Sequence, residues 1–182
     1  MSVITLLTDF GTDDEYVGLM KGAILSINPR AAIVDLTHQI SRQDIVQAAF
    51  TIHSGYHFFP EGTVHLIVVD PGVGTERGLL ALKMDNHFFI APDNGVLTLL
   101  LAEQKVSSLN LIANPDYFRH PISQTVHGRD VIAPVGAHIT NGLEVSELGP
   151  EIDPQKVICL DGLGARRTEK GDIKGEVVTI DH

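Results

Sequence analysis

Val64-His65-Leu66-Ile67-Val68-Val69 is the most apolar strand candidate in the chain, and it opens abruptly into the loop Asp70-Pro71-Gly72-Val73-Gly74-Thr75-Glu76-Arg77-Gly78. A continuous apolar run is typical of a strand that is buried on both faces of a parallel sheet. Asp70 therefore lies at the carboxyl end of a predicted central strand, where open α/β sheets bind ligands. A folded-back loop would bring the Arg77 guanidinium to the Asp70 carboxylate. The pattern also fits a glycine-rich turn with a surface ion pair.

Further strands and helices alternate around this segment. The predicted strands cover residues 3–7, 32–36, 79–84, 87–90 and 106–112, and the predicted helices cover residues 16–27, 44–56, 96–103 and a segment from about residue 130 to residue 141. The helices are indicated by the spacing of their apolar residues. This alternation predicts an α/β domain in which a mainly parallel sheet is flanked by helices.

The composition changes after residue 148, which suggests a domain boundary. Residues 1–150 are predicted to form the α/β domain, and the polar, proline-containing run 151–172 reads as a linker. Residues 173–182, with a strand at 175–180, are interpreted as the first strand of an incomplete C-terminal β domain. Since a single strand after a linker cannot stabilise itself, we expect the rest of a small β domain to follow.

Composition restricts the partners and the compartment. The chain has 182 residues, of which 43% are apolar, and a formal net charge of −10. This size suits one well-buried domain, and the acidic charge argues against nucleic acid or an anionic membrane as a partner. Cys159 is the one cysteine and no stretch approaches the ~20 apolar residues of a membrane span, so we expect a cytoplasmic protein.

Polar side chains that could perform chemistry fall in three segments at predicted strand ends or loops. They are Asp9 with Asp13 and Asp14, Asp70 with Arg77, and His127 with Arg129 and Asp130. An Asp, an Arg and a His brought together could position and deprotonate a water molecule. Each segment also has a simpler interpretation. Asp9 could cap the following helix, His127 could be a capping or solvated residue, and Arg129-Asp130 could be a local ion pair of little energetic value.

Several common kinds of site lack their sequence patterns. The chain has no Gly-Lys-Ser/Thr phosphate loop, no Gly-x-Gly-x-x-Gly after its first strand, no Gly-x-Ser-x-Gly elbow and no His-Glu-x-x-His pair. The aspartates at positions 9, 13 and 14 could bind Mg²⁺, but acidic loops at helix starts are commoner than metal sites. We therefore predict no metal site and no cofactor.

Taken together, several short segments resemble one enzyme family. They are Thr8-Asp9-Phe10-Gly11, Tyr16-Val17-Gly18 with Lys21-Gly22, Phe59-Pro60-Glu61-Gly62-Thr63-Val64, Val69-Asp70-Pro71-Gly72-Val73-Gly74, Ala91-Pro92-Asp93-Asn94-Gly95, and His127-Gly128-Arg129-Asp130 with Ala133-Pro134. In this order they resemble the S-adenosyl-L-methionine (SAM) hydroxide adenosyltransferases, which are adenosine-forming SAM hydrolases related to the fluorinase and the chlorinase. The resemblance extends from residue 3 to about residue 150.

This resemblance implies an N-terminal α/β domain, a small C-terminal β domain and a homotrimer. SAM would lie between the N-terminal domain of one subunit and the C-terminal domain of its neighbour. The family's catalytic residues map onto Asp70, Arg77 and His127. The residues implied in substrate binding are Asp9 at the ribose, Asp14 and Tyr16 near the methionine end, and Gln43, Val73 and Gly128 along the pocket.

The implied reaction is attack by water or hydroxide on C5′ of SAM, which gives adenosine and L-methionine without a cofactor. The alternatives are a SAM-dependent halogenase, a catalytically impaired SAM- or adenosine-binding oligomeric module, and a metal-dependent hydrolase that uses the Asp-rich loop. The family continues past residue 182 into a Phe-Gly-Asn motif that helps to hold adenine. We therefore expect the 182 residues alone to bind SAM poorly and to hydrolyse it slowly or not at all.

Overall fold

A computed structural model describes residues 2–180. In chain order, the strands, the α-helices and the π-helix are β1 (Val3–Thr8), α1 (Tyr16–Ile27), β2 (Ala32–Thr37), α2 (Ile45–Gly55), β3 (Val64–Val68), β4 (Leu79–Met84), β5 (His87–Pro92), α3 (Thr98–Ala102), β6 (Val106–Leu111), a π-helix (Gly128–Ile132), α4 (Ala133–Thr140), β7 (Arg166–Arg167) and β8 (Ile173–Lys174). Short 3₁₀-helices lie at Tyr56–Phe58, Pro115–Tyr117, Val145–Leu148 and Pro154–Lys156.

The first six strands form one sheet in the order β2-β1-β3-β5-β4-β6. Strands β2, β1, β3 and β5 are parallel, whereas β4 runs antiparallel to both of its neighbours. The tight turn between β4 and β5 is made by Asp85 and Asn86, which both have positive φ (51° and 60°). The structure confirms the predicted α/β architecture with a mainly parallel sheet.

Apolar side chains cover both faces of this sheet. Successive residues of a strand point to opposite faces, so the apolar run of β3 contributes to two layers. Leu66 and Val68 belong to a core with residues of α1 and α4, and Ile67 belongs to a second core with residues of α2 and α3. Because β3 is covered on both faces, it gives the loop at its carboxyl end a rigid support.

The π-helix runs directly into α4, and Pro134 lies in the first turn of α4. Proline has no N–H group, so Pro134 cannot donate to the carbonyl of Asp130, four residues earlier, as an ordinary helical residue would. The backbone N–H of Arg119 donates to that carbonyl instead, at 2.8 Å. A loop outside the helix therefore satisfies a helix carbonyl.

The strand predicted at residues 175–180 is wrong in its position. The structure has a short strand β8 that pairs with β7 across a turn in which Thr168 N–H donates to Asp172 O (2.8 Å). Residues 175–180 have no regular secondary structure, and Val177 and Ile180 are mostly exposed, because no neighbouring strand pairs with them in the described part of the chain. Residues 181–182 of the predicted C-terminal segment 173–182 lie outside the described residues. The division at residues 150 and 172 stays a prediction.

No helix within residues 2–180 combines the length and the apolar character that crossing a bilayer requires.

Candidate active site

The polar groups of the site emerge at the carboxyl-terminal edge of the parallel strands. β1 and β3 are neighbours, and Thr8 pairs with Val68 in their register. Asp9 follows Thr8 directly, and Asp70 follows Val68 by two residues, so both loops leave the same edge of the sheet. The side-chain amide of Asn94, in the loop after β5, donates to the carbonyl of Val69 (2.9 Å) and so fixes the end of β3.

Asp70 and Arg77 form a bidentate ion pair at this edge of the sheet. Arg77 Nε donates to Asp70 Oδ1 at 2.9 Å, and Arg77 Nη2 donates to Asp70 Oδ2. The backbone N–H of Gly72 also donates to Oδ1, at 3.2 Å. The two side chains are only 6% (Asp70) and 9% (Arg77) exposed. The pair is therefore largely removed from water, unlike the surface ion pair that the sequence also allowed.

His127 joins this pair through its ring. Arg77 Nη2 lies 3.1 Å from His127 Nδ1. A guanidinium can only donate, so Nδ1 accepts and the ring proton resides on Nε2. Burial lowers the pKa of His127, the charge of Arg77 lowers it further, and the carboxylates of Asp70 and Asp130 oppose this shift only in part. His127 is therefore a neutral imidazole whose Nε2–H is a hydrogen-bond donor.

Two glycines let the surrounding segments approach closely enough to make these contacts. Gly74 has a φ of +81°, and a Cβ at this position would lie 2.9 Å from the carbonyl oxygen of Gln124. A Cβ on Gly128 would lie 3.2 Å from a methyl group of Val68 and 3.3 Å from the sulfur of Met20. The loop 70–78 thus touches the segment that precedes His127, and the π-helix packs directly on the end of β3.

Asp9 lies in the loop after β1 and is tied to the loop after β2. Its Oδ2 accepts the backbone N–H of Gln43 at 2.8 Å, and Gln43 has a φ of 64°. Helix α1 has Glu15 as its N-cap, with no side-chain capping hydrogen bond, so Asp9 does not cap that helix. One carboxylate oxygen is engaged by the protein backbone, and Asp9 is available as an acceptor at the same sheet edge as Asp70.

The other predicted binding residues lie around this edge. Asp14 and Tyr16 are exposed at the start of α1, where the Tyr16 ring lies 5.6 Å from that of Phe10. Val73 is partly buried in the 70–78 loop, and its N–H donates to Asp70 O at 3.3 Å. Within residues 2–180, no group of three or more His, Cys, Asp or Glu side chains is arranged to hold a metal ion.

Asp130 is the residue whose environment the sequence interpretation missed. The local ion pair with Arg129 exists, but Asp130 is 0% exposed, and its carboxylate also accepts the N–H of Ser123. A signal was available, because Asp130 is followed by the uninterrupted apolar run Val131-Ile132-Ala133-Pro134-Val135. A carboxylate that begins an apolar helix is buried with that helix and therefore needs partners.

The sequence is similar to a known protein family and to several of its members. Residues 4–149 match the family model described as the SAM hydroxide adenosyltransferase N-terminal domain. The chain is 38% identical to an (R)-S-adenosyl-L-methionine hydrolase of Methanocaldococcus jannaschii, covering 99% of this chain and 70% of that protein. It is 26% identical to a fluorinase of Actinoplanes sp., covering 99% of this chain and 68% of the fluorinase.

The fold agrees with this similarity. The crystal structure of an uncharacterized conserved protein from Thermotoga maritima superposes with a TM-score of 0.90 at 38% identity, over 98% of this chain and 67% of that chain. The chain therefore spans roughly two thirds of the length of the relatives it matches. The matched family domain covers most of the sequence and includes every residue of the Asp70–Arg77–His127 contact. The chain belongs to the SAM hydroxide adenosyltransferase family.

Proposed function

We propose that this chain belongs to an enzyme that hydrolyses SAM, with Asp70, Arg77 and His127 as its catalytic residues. Water or hydroxide attacks C5′, the C5′–S bond breaks with its electron pair going to sulfur, and the products are adenosine, L-methionine and a proton. The observation that supports this proposal most is the largely buried Asp70–Arg77 ion pair, which is in contact with the partly buried His127 at the sheet edge. The higher identity to a SAM hydrolase than to a fluorinase favours hydrolysis over halogenation.

The proposed roles follow from the hydrogen bonds. His127 Nδ1 already accepts from Arg77, so the ring offers its Nε2–H and orients the water oxygen rather than taking its proton. Asp70 is the acceptor in this set, and a carboxylate has lone pairs beyond those that Arg77 and Gly72 occupy. Asp70 is therefore the group that we propose to accept the proton of the attacking water.

The leaving group needs no acid because the departing thioether is neutral. Catalysis then depends on delivering the nucleophile in line with the C5′–S bond and on removing its surrounding water. The small exposure of Asp70 and Arg77 suits this task. The positive sulfonium and the negative nucleophile neutralise each other in the transition state, which a site of low polarity favours.

The same geometry disfavours a halide as nucleophile. Asp70 stands at a position where the resemblance to the fluorinase places a tyrosine. A carboxylate at contact distance from a halide in a partly dry site costs several kcal/mol unless it is compensated. Arg77 is the group that could compensate, but two of its donors already bind Asp70. We therefore expect adenosine and no halogenated nucleoside.

We propose three further properties on the family resemblance. The substrate is the (R)-sulfonium form of SAM, as the name of the M. jannaschii relative states for that protein. The assembly is a cytoplasmic homotrimer in which SAM lies between subunits, with Asp9, Asp14, Tyr16, Gln43, Val73 and Gly128 as the binding residues of this chain. No cofactor takes part. Light scattering of the purified protein tests the trimer directly.

Product analysis tests the proposed reaction. The protein is incubated with each sulfonium diastereomer of SAM in high chloride, at a protein concentration comparable with that of SAM, so that slow turnover is detected. We expect equal amounts of adenosine and methionine from the (R) form, unchanged by a chelator. 5′-Chloro-5′-deoxyadenosine as the major product would establish the halogenase alternative, and loss of activity with the chelator would establish the metal-dependent one.

A further inference from the structure

The carboxylate of Asp130 is completely buried and joins the π-helix to the preceding loop. Oδ1 accepts Arg129 Nε at 2.6 Å, and Oδ2 accepts Arg129 Nη2 at 2.7 Å and the backbone N–H of Ser123 at 2.8 Å. The backbone carbonyl of Asp130 accepts the N–H of Arg119 at 2.8 Å, the bond that Pro134 leaves open. We call Asp130 and these three partners the Asp130 clasp. It fixes the loop 119–127 at two separate points.

The clasp is charged at neutral pH. Burial raises the pKa of the Asp130 carboxyl, but the hydrogen bonds from Arg129 and Ser123 and the charges of Arg129 and Arg119 lower it by more, so its pKa lies below the ordinary value. A buried carboxylate is tolerated only when its lone pairs are satisfied in this way. If one partner is removed, polar groups of the others stay buried without a hydrogen bond, which costs free energy. Separation of Asp130 from its partners is therefore strongly unfavourable.

The fixed loop leads directly to the catalytic contact. His127 is the last residue of the loop 119–127, and Asp130 follows it by three residues in the π-helix. Inside the same loop, the carbonyl oxygen of Gln124 lies against Gly74 of the loop that carries Asp70 and Arg77. The clasp therefore supports both sides of the Arg77–His127 hydrogen bond. This support is indirect, because the Asp130 carboxylate itself contacts Arg129 and Ser123.

We propose that Asp130 is a positioning residue for the SAM hydrolysis proposed above, on which this inference rests: its buried carboxylate holds the loop 119–127 so that His127 Nδ1 accepts from Arg77. The π-helix and Pro134 contribute by directing a free backbone carbonyl at the same loop. Asp130 acts through His127 and does not touch the reacting atoms.

Asp130→Asn tests this role. The amide replaces one acceptor oxygen by an NH₂ group, which would face N–H donors of Arg129 or Ser123. We expect kcat to fall roughly 10- to 100-fold, with a smaller change in KM, because a displacement of about 1 Å is sufficient for such a loss. Thr63→Val is the matched control. It removes the hydrogen bond of the buried Thr63 to Pro60 O (2.6 Å) at the opposite end of β3, and kcat should stay within about twofold of the wild-type value.

An NMR measurement separates positioning from general loss of structure. In the wild-type chain, the ¹⁵N shifts of the His127 ring should show an unprotonated, hydrogen-bonded Nδ1 and a protonated Nε2. In Asp130→Asn, they should move towards the average of two tautomers. A reduced kcat with an unchanged His127 ring, or an unchanged kcat with a disturbed ring, would overturn the proposal.

Arg129→Gln keeps the test decisive if Asp130→Asn does not fold. Arg129 is partly exposed, and glutamine can keep one hydrogen bond to Asp130, so this variant should fold. We expect a smaller fall in kcat, of roughly threefold to tenfold, together with the same change in the His127 ring. Wild-type kcat and ring signals would overturn the proposal. If the wild-type protein released no adenosine even when extended through the C-terminal β domain, the proposed function would be refuted. The ring signals would still decide whether Asp130 positions His127.

Discussion

At the scale of single residues, Asp70→Asn gives the simplest test of the catalytic contact. The substitution keeps the shape of the side chain but removes its charge and puts an NH₂ group against the guanidinium of Arg77. We expect the rate of adenosine release to fall roughly 100-fold or more. Asp153→Asn is the control, because Asp153 accepts one backbone N–H, from Gln155 at 2.9 Å, at an exposed turn. Near-normal turnover of the Asp70 variant would refute its catalytic role.

The pH profile reports on His127. Its pKa is lowered from the ordinary value of 6.5 by burial and by the charge of Arg77. The neutral ring, whose Nδ1 can accept, should therefore persist below pH 6.5, and activity should be lost only as the pH falls through the lowered value. We expect the acidic limb of kcat to have its midpoint below that pH and to move in the weakly active His127→Ala variant, which lacks the titrating ring. A midpoint above it would contradict the assigned proton state.

Local sequence pattern sufficed to predict part of the site. The run of β3 into Asp70 and the resemblance around His127 identified residues that the structure brings into contact. The apolar run after Asp130 indicates that this residue is buried. The sequence could not show that Arg119 and Ser123 bind it, because these contacts depend on how the loop 119–127 folds over the π-helix.

At the scale of secondary-structure elements, the packing of α4 on the sheet allows no additional volume. A Cβ on Gly136 would lie 2.5 Å from a methyl group of the fully buried Leu66 in β3. We expect Gly136→Ala to lower the free energy of unfolding by about 1–3 kcal/mol, because the core must shift to make room for the added methyl group.

At Gly22 in α1 no heavy atom lies within 4 Å of the added Cβ, so Gly22→Ala should stabilise the chain by about 0.5–1 kcal/mol.

Urea denaturation of both glycine variants measures these opposite effects. Two destabilised variants would show that Gly22 is also closely packed in the native protein, and two stabilised ones would contradict the described contact between α4 and β3.

Helices and strands that are determined by local sequence were predicted correctly, and those that depend on contacts with distant residues were not. Apolar spacing predicted α1 from Tyr16 to Ile27, which are the bounds in the structure. Residues 175–180 have strand-like composition but no pairing partner in the described chain, so they form no strand. The π-helix at Gly128–Ile132 was not predicted, and its close approach to Val68 and Met20 at Gly128 joins segments that are far apart in the sequence.

At the scale of the whole molecule, buried histidines should make the fold sensitive to acid. Burial, with a smaller contribution from His87, lowers the pKa of His65 to about 3. In the unfolded chain the same ring takes up a proton near the ordinary value of 6.5. As the pH falls from that value towards about 3, the unfolded state binds the proton first, and stability falls by up to about 1.4 kcal/mol per pH unit.

His65→Leu removes this titration while preserving an apolar side chain next to Phe89. The variant loses the hydrogen bonds of His65 with Thr5 and His87 and should be less stable at neutral pH. The loss of stability between about pH 7 and about pH 4.5 should nevertheless be smaller than in the wild-type chain. Denaturant midpoints at both pH values measure this loss of stability in each protein. An equal loss in the variant and the wild-type chain would show that His65 does not cause the acid sensitivity.

In the proposed mechanism, water attacks C5′ of SAM directly and is oriented by Asp70, Arg77 and His127. Single turnover in H₂¹⁸O, with protein in excess over (R)-SAM, tests it by mass spectrometry of the products and of the protein. We predict that the ¹⁸O label appears in the 5′-oxygen of adenosine and that the Asp70 carboxylate stays unlabelled. Unlabelled adenosine together with ¹⁸O in Asp70 would show that the carboxylate itself attacks C5′, and the proposed mechanism would be contradicted.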